Sequence, residues 1–236
     1  MKKKILVVGG TSGIGEKISE LFINKKYNLS ILGRKINPKF KNITNFYKTD
    51  ILNKKSFNHT LKKIKKKKFD IIVNCIGGSL GIKNSNSSMN NYLKSWQYNL
   101  GYAIEINNLF LDKMKKNKWG RIVHISSATS FNLTGGGPYS SAKSALNVYV
   151  KALAEEYGKY NVIISAICPG PVRVNKKFLT KQESKKTKFW KNFSSNHLPM
   201  GRLAKIEEVL PVIDLLASEN ASFCSGAIWN IDGMQK

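Results

Sequence analysis

Short apolar runs alternate along the chain with longer stretches in which apolar residues return every three or four positions. The first run, Lys3 to Gly9, ends in glycines, and a helical pattern follows it to about Lys26. Asn28–Gly33 and Ile43–Tyr47 read as the second and third strands, Lys54–Lys68 as a very basic helix, and Phe69–Cys75 as a fourth strand. Between Asn91 and Lys116 the residues Leu100, Ala103, Ile104, Leu111 and Met114 recur at helical spacing, with a polar interruption at Asn107–Asn108. Gly120–Ser126 is a fifth strand, Pro138–Tyr157 another helix, and Val162–Cys168 a sixth strand. A lysine-rich segment runs to about Pro199, before a helix near Ile206–Ala217 and a last strand at Ala227–Ile231. Strands that alternate with helices need crossover connections. The pattern therefore predicts an α/β fold, a doubly wound and mostly parallel sheet of about seven strands with helices on both faces. Such sheets bind ligands beyond the carboxyl ends of their strands, where the strand order reverses.

At 236 residues the chain is long enough for a full core and suits a single α/β domain, and it carries no linker-like stretch or internal repeat. Its start, MKKKILVVGG, resembles a signal peptide only briefly, because the apolar run is too short and glycines interrupt it. No stretch approaches the roughly 18 apolar residues of a membrane span, so a soluble, cytoplasmic protein without a membrane partner is expected. Cys75, Cys168 and Cys224 are scattered, as are the histidines, which argues against a disulfide framework or a metal site.

The net charge of +26 raises the question of nucleic acid. Of the 40 basic side chains, only Arg34, Arg121, Arg173 and Arg202 are arginines. Lysine, asparagine and isoleucine are abundant together, as in proteins from AT-rich genomes. The lysines lie on many different segments without interleaved aromatics, so a solvating coat is expected and specific nucleic-acid binding is not.

Chemistry concentrates in two places. Gly9-Gly10-Thr11-Ser12-Gly13-Ile14-Gly15 joins the first strand to the first helix. Glycines there let the backbone approach a pyrophosphate, and the helix N-terminus offers free N–H groups to it. About twenty residues on, an NAD-binding chain carries an acid for the ribose hydroxyls. Here Arg34-Lys35 stands instead, and a guanidinium clasps a 2′-phosphate that a carboxylate would repel, so NADP(H) is the expected cofactor.

The second place is Tyr139-Ser140-Ser141-Ala142-Lys143. Spacing i, i+4 sets phenol and ammonium on one helical face, and the cation is expected to lower the tyrosine pKa toward a working acid/base range. Ser126-Ser127 ends the fifth strand shortly upstream, with Gly135-Gly136-Gly137 in the return loop. From there Ser127 could hold a substrate oxygen by a hydrogen bond while Tyr139 moves the proton.

Together these motifs resemble the short-chain dehydrogenase/reductase family over almost the whole chain, and most closely its 3-oxoacyl-carrier-protein reductase-like members. The family's TGxxxGxG is matched from Val8 to Gly15, with valine in place of the leading threonine. Its aspartate beside the adenine matches Asp50, followed by Ile51, and its NNAG segment is Asn74-Cys75-Ile76-Gly77. Its helical asparagine matches Asn99, its serine Ser127 (with Ser126 as the alternative), and its YxxxK pair Tyr139 and Lys143. Pro169-Gly170-Pro171-Val172-Arg173-Val174 looks like PGxVxT, with Val174 withdrawing a hydroxyl from one contact to the nicotinamide carboxamide. Ser225-Gly226 through Met234 resembles the family's SGxxxxVDGG.

The resemblance implies a carbonyl–alcohol oxidoreductase on a Rossmann domain. Tyr139 would protonate the oxygen, Ser127 polarise it, Lys143 bind the nicotinamide ribose, and Asn99 position a relay water. It also implies a substrate lid at about 175–199 and a homo-oligomer, a tetramer or dimer, with the helices of 91–116 and 138–157 across an interface. The lid carries Lys176, Lys177, Lys181, Lys185, Lys186, Lys188 and Lys191 against Glu183, which fits an anionic substrate such as a 3-oxoacyl thioester or an activated sugar. Its aromatic residues are expected to pack the lid. The alternative is a non-catalytic NADP(H)-binding protein with a regulatory or nucleic-acid-binding role.

Overall fold

The computed structural model describes residues 2–42, 45–174 and 178–236. Seven strands form one parallel sheet: β1 (Lys4–Val8), β2 (Asn28–Gly33), β3 (Asn45–Lys48), β4 (Ile71–Asn74), β5 (Gly120–Ile125), β6 (Val162–Pro169) and β7 (Ile228–Ile231). Their order is β3-β2-β1-β4-β5-β6-β7, so the chain reverses its direction of travel across the sheet between β1 and β4. Every neighbouring pair is parallel, with Val8 beside Asn74 and Asn74 beside His124 at the carboxyl ends. The expected doubly wound α/β fold is what forms. The part of the expected third strand at Ile43–Thr44 lies outside the described residues.

The inner strands are buried on both faces, which is why they read as continuous apolar runs instead of alternating ones. One face is covered by α2 (Lys54–Lys65), α4 (Tyr102–Lys116) and α6 (Gly137–Tyr157), whose Phe57, Ile64, Phe110, Leu146 and Val150 pack on Ile72, Ile122 and Ile164. The other face is covered by α1 (Gly13–Asn24) and α9 (Leu210–Leu216), whose Ile18, Phe22, Ile213 and Leu216 pack on Val7, Val73 and Val123. On α2 the same turn that buries Phe57, Leu61 and Ile64 leaves Lys62, Lys63 and Lys65 in solvent, so its basic side is a hydrated face. No helix among the described residues is long and apolar enough to cross a membrane.

Two expected helices come out divided. The stretch predicted as helical over 91–116 starts at Met89 and forms α3 (Met89–Trp96), a π-helical turn at Gln97–Gly101, and then α4. A π turn takes up one extra residue, and such turns gather at functional positions; this one contains Asn99. The helix predicted near Ile206–Ala217 is a 3-10 turn at Ile206–Glu208 followed by α9, with Pro211 in its first turn where no N–H is needed. The lysine-rich segment also folds, into α7 (Phe178–Ser184) and α8 (Lys188–His197), after a one-turn helix α5 (Thr129–Asn132) earlier in the chain.

Candidate active site

At the carboxyl ends of β1, β2, β4, β5 and β6 lies a cleft of about 920 Å³. Its floor on the β1 side is the glycine loop. Gly9 and Gly13 hold φ of +86° and +60°, in the left-handed region that glycine adopts without strain. A Cβ on Gly15 would overlap the carbonyl oxygen of Gly9, so the loop can fold back on the start of α1 only with glycine there. Ser19, in the second turn of α1, locks this arrangement: its buried hydroxyl bonds to Gly10 O at 2.9 Å and Gly15 O at 3.0 Å. Sequence patterning gave no reason to single out Ser19 beyond its being a polar residue on the inward face of an amphipathic helix.

Thr11, Ser12, Ile14, Arg34, Lys35, Asp50, Ile51 and Gly77 line the same cleft, as do Pro169 and Gly170. Among the described residues neither Arg34 nor Lys35 has a carboxylate partner, so both charges stay free for a ligand. Asp50 is held by its own turn, its Oδ1 accepting from Leu52 N at 3.0 Å.

Three residues expected at the site stand behind its wall. Asn74 is buried under the sheet end, donating to Asn107 Oδ1 at 3.1 Å. Val172 is drawn into a bridge with Ala204 and packs on the core beneath α9. The side chain of Asn99 is fully engaged: Oδ1 accepts from Gly78 N at 2.9 Å, and Nδ2 donates to Gly78 O and Ser95 O. Asn99 nevertheless meets the site through Gly77, where a Cβ would sit 2.8 Å from both Asn99 Oδ1 and Lys143 Nζ. Val174 lines the cleft, and its backbone N–H and C=O are both bonded by the hydroxyl of Thr180, at 3.2 and 2.9 Å.

Ser127, Tyr139 and Lys143 come together at the β5 side. Ser127 and Tyr139 line the same cleft, and the Ser127 hydroxyl favours the ionised phenol, which points to Ser127 over Ser126; the latter turns away to Lys143 O at 3.4 Å. Lys143 is buried and donates from Nζ to Ile125 O at 2.7 Å. Loss of water around this ammonium pulls its pKa down to about 8.

Here the structure corrects one expectation. Burial pushes the Tyr139 pKa up, against the lowering expected from the spacing, and the nearby Ser127 hydroxyl opposes it. Lys143 Nζ donates to the Ile125 carbonyl and lies 6.0 Å from the centroid of the tyrosine ring.

The sequence of residues 3–185 matches the family model described as short chain dehydrogenase. This chain belongs to the short-chain dehydrogenase family. The 3-oxoacyl-acyl-carrier-protein reductase FabG of Aquifex aeolicus is 29% identical over 248 residues, spanning 98% of this chain and 96% of that protein. The solved structure of ElxO with NADP bound superposes with a TM-score of 0.85 at 28% identity, over 99% of this chain and 98% of its own. A 3-oxoacyl-acyl-carrier-protein reductase from Agrobacterium tumefaciens C58, with NADP bound, has a TM-score of 0.86 at 21% identity and 98% and 93% coverage, a likeness of fold. The chain is accordingly an oxidoreductase of this short-chain dehydrogenase type.

Proposed function

We propose that the protein is an NADP(H)-dependent reductase that converts a ketone to a secondary alcohol, with a 3-oxoacyl thioester as the favoured substrate. The observation that carries this reading is one continuous cleft with unpaired Arg34 and Lys35 on its β2 side and Ser127, Tyr139 and Lys143 on its β5 side. The cradle around Gly9 and Gly15 that no other side chain could share, and the free basic pair, fit a dinucleotide carrying a 2′-phosphate. ElxO, 28% identical, binds NADP.

When bound, NADPH supplies the hydride. Ser127 holds the carbonyl oxygen through its hydroxyl, and Tyr139 donates a proton to that oxygen as it gains charge. A phenol whose pKa is raised by burial stays protonated at neutral pH, as a proton donor must. Lys143 then returns a proton to the phenolate. Its pKa of about 8 lets the ammonium release and regain that proton near physiological pH. The relay continues past Gly77, where Asn99 and Lys143 converge, toward solvent.

Exposed Lys181, Lys185, Lys188 and Lys191, on α7, α8 and the turn between them, support an anionic substrate, and the FabG relative is named for a carrier-linked 3-oxoacyl group. We assign the lid to about 175–199, of which Asn175–Lys177 lie outside the described residues, and the whole chain to one nucleotide-binding domain. Trp190 and Leu198 of the lid form a small core with Leu203 just beyond it, with Leu179 and Phe193 against it. A homo-oligomer is supported by Leu93, Trp96 and Val148, large apolar side chains exposed on α3 and α6.

The test is NADPH consumption with acetoacetyl-coenzyme A and, separately, a keto-sugar, for the wild type and Tyr139→Phe. Turnover of the thioester that falls at least about hundredfold in Tyr139→Phe is expected. A wild type that reduces neither carbonyl, or a Tyr139→Phe variant as active as the wild type, would overturn the reading.

A further inference from the structure

The loop that carries Ser127 is tied to the helix that carries Tyr139 by a set of short polar contacts beneath both. Thr129 stands at their centre. Its backbone N–H reaches Ser127 Oγ at 3.4 Å, and its hydroxyl pairs with Ser140 Oγ at 2.7 Å. The same hydroxyl accepts from Gly135 N at 2.7 Å. Thr129 and Ser140 are 3% and 2% exposed, so water does not compete for these bonds.

Each partner of Thr129 touches the proton-transfer pair. Ser140 is the residue after Tyr139 on α6. Gly135 lies against the tyrosine ring so closely that a Cβ there would overlap Tyr139 Cδ1 and stand 2.6 Å from Thr129 Oγ1. A second tie runs in parallel: Ser130 Oγ bonds to Ser127 O at 2.7 Å, Asn147 Nδ2 to Ser130 Oγ at 2.9 Å, and Ser144 Oγ to Ser130 O at 2.9 Å. The second tie fixes the backbone of Ser127. The first reaches both reacting side chains.

We propose that Thr129, paired with Ser140, is a positioning residue that sets the separation between the Ser127 hydroxyl and the Tyr139 phenol. The inference rests on the reductase reading, in which those two hydroxyls share one substrate oxygen. Proton transfer and oxygen binding at one atom need both groups placed to a fraction of an ångström, and a displacement of about 1 Å can cost about a hundredfold in rate. Thr129 fixes three points at once: its hydroxyl holds the loop at Gly135 and the helix at Ser140, and its backbone N–H holds the Ser127 side chain.

Thr129→Val keeps the shape and removes the hydroxyl. Measured with NADPH and acetoacetyl-coenzyme A, it should lower kcat about tenfold or more, with KM and NADPH affinity within about twofold of the wild type. Thr129→Ser, which keeps the hydroxyl, should recover most of the rate. Ser140→Ala removes the same bond from the helix side and should repeat the kcat loss should Thr129→Val fold poorly. Crystal structures of the wild type and Thr129→Val give a readout that needs no substrate: the Ser127 Oγ to Tyr139 Oη distance should be greater in the variant. An unchanged distance, an unchanged kcat, or a Thr129→Ser variant as slow as Thr129→Val overturns the proposal. Tyr139→Phe in the same assay separates the two levels. If it abolishes turnover and Thr129→Val does not, only the positioning role fails; if neither matters, the reductase reading fails.

Discussion

Lys143 Nζ donates to the carbonyl oxygen of Ile125 at 2.7 Å, and the side chain is almost wholly buried at the wall of the cleft. One backbone carbonyl is a poor substitute for full hydration, and the ammonium pKa falls to about 8 as a result.

This depression has a definite sign in stability. A lysine with its ordinary pKa of 10.5 in the unfolded chain and about 8 in the fold costs stability below pH 8, where both states carry the charge. Between pH 8 and 10.5 the folded state gives up the proton first, and the cost disappears as pH rises. Lys143→Met should therefore be more stable than the nucleotide-free wild type at pH 7, by an amount of order 3 kcal/mol at most. The gap should close on going to pH 10.5, and parallel thermal melts at pH 7 and 10 check it.

His124 titrates in the opposite region. Asn107 holds its Nε2 at 3.2 Å, its Nδ1 has no partner among the described residues, and burial, with Lys143 nearby, drives its pKa down to about 3. A cation disfavoured in the fold leaves stability intact above pH 6.5 and erodes it as pH falls from 6.5 toward 3. His124→Phe should lose part of this acid sensitivity. The check is the pH dependence of the urea midpoint for the two proteins between pH 7 and 4; identical slopes would contradict it.

Gly77 is the point at which Asn99 and Lys143 converge, and a methyl group there would stand 2.8 Å from each. Gly77→Ala should lower kcat by about ten- to a hundredfold and cost about 1–3 kcal/mol of stability through overpacking. Steady-state kinetics and a denaturant melt measure the two effects on the same preparation.

Much of this was legible in the sequence because the signals are local. The glycine loop, the Arg34-Lys35 pair and the Tyr139/Lys143 spacing each lie within a few residues, and the inner strands announce themselves as unbroken apolar runs. What escaped depends on contacts between distant segments. The π turn at Gln97–Gly101 leaves no trace in a periodicity that merely looks helical. The Asn74–Asn107–His124 cluster joins two strands and a helix, and nothing in the order of residues sets those three together. The direction of the tyrosine pKa also escaped, because the depth to which folding buries the phenol is not written in the spacing of Tyr139 and Lys143.

The central claim is a reductase that selects NADP(H), and the most direct measurement is fluorescence titration of wild type and Arg34→Glu with NADPH and NADH. Arg34 makes no ion pair among the described residues, so its loss should leave folding unchanged. The wild type should prefer NADPH, and the variant should lose at least about tenfold of that affinity, the worth of a charge-assisted contact, while binding NADH as before. A wild type that binds NADH as tightly as NADPH, or neither nucleotide at all, would contradict the account.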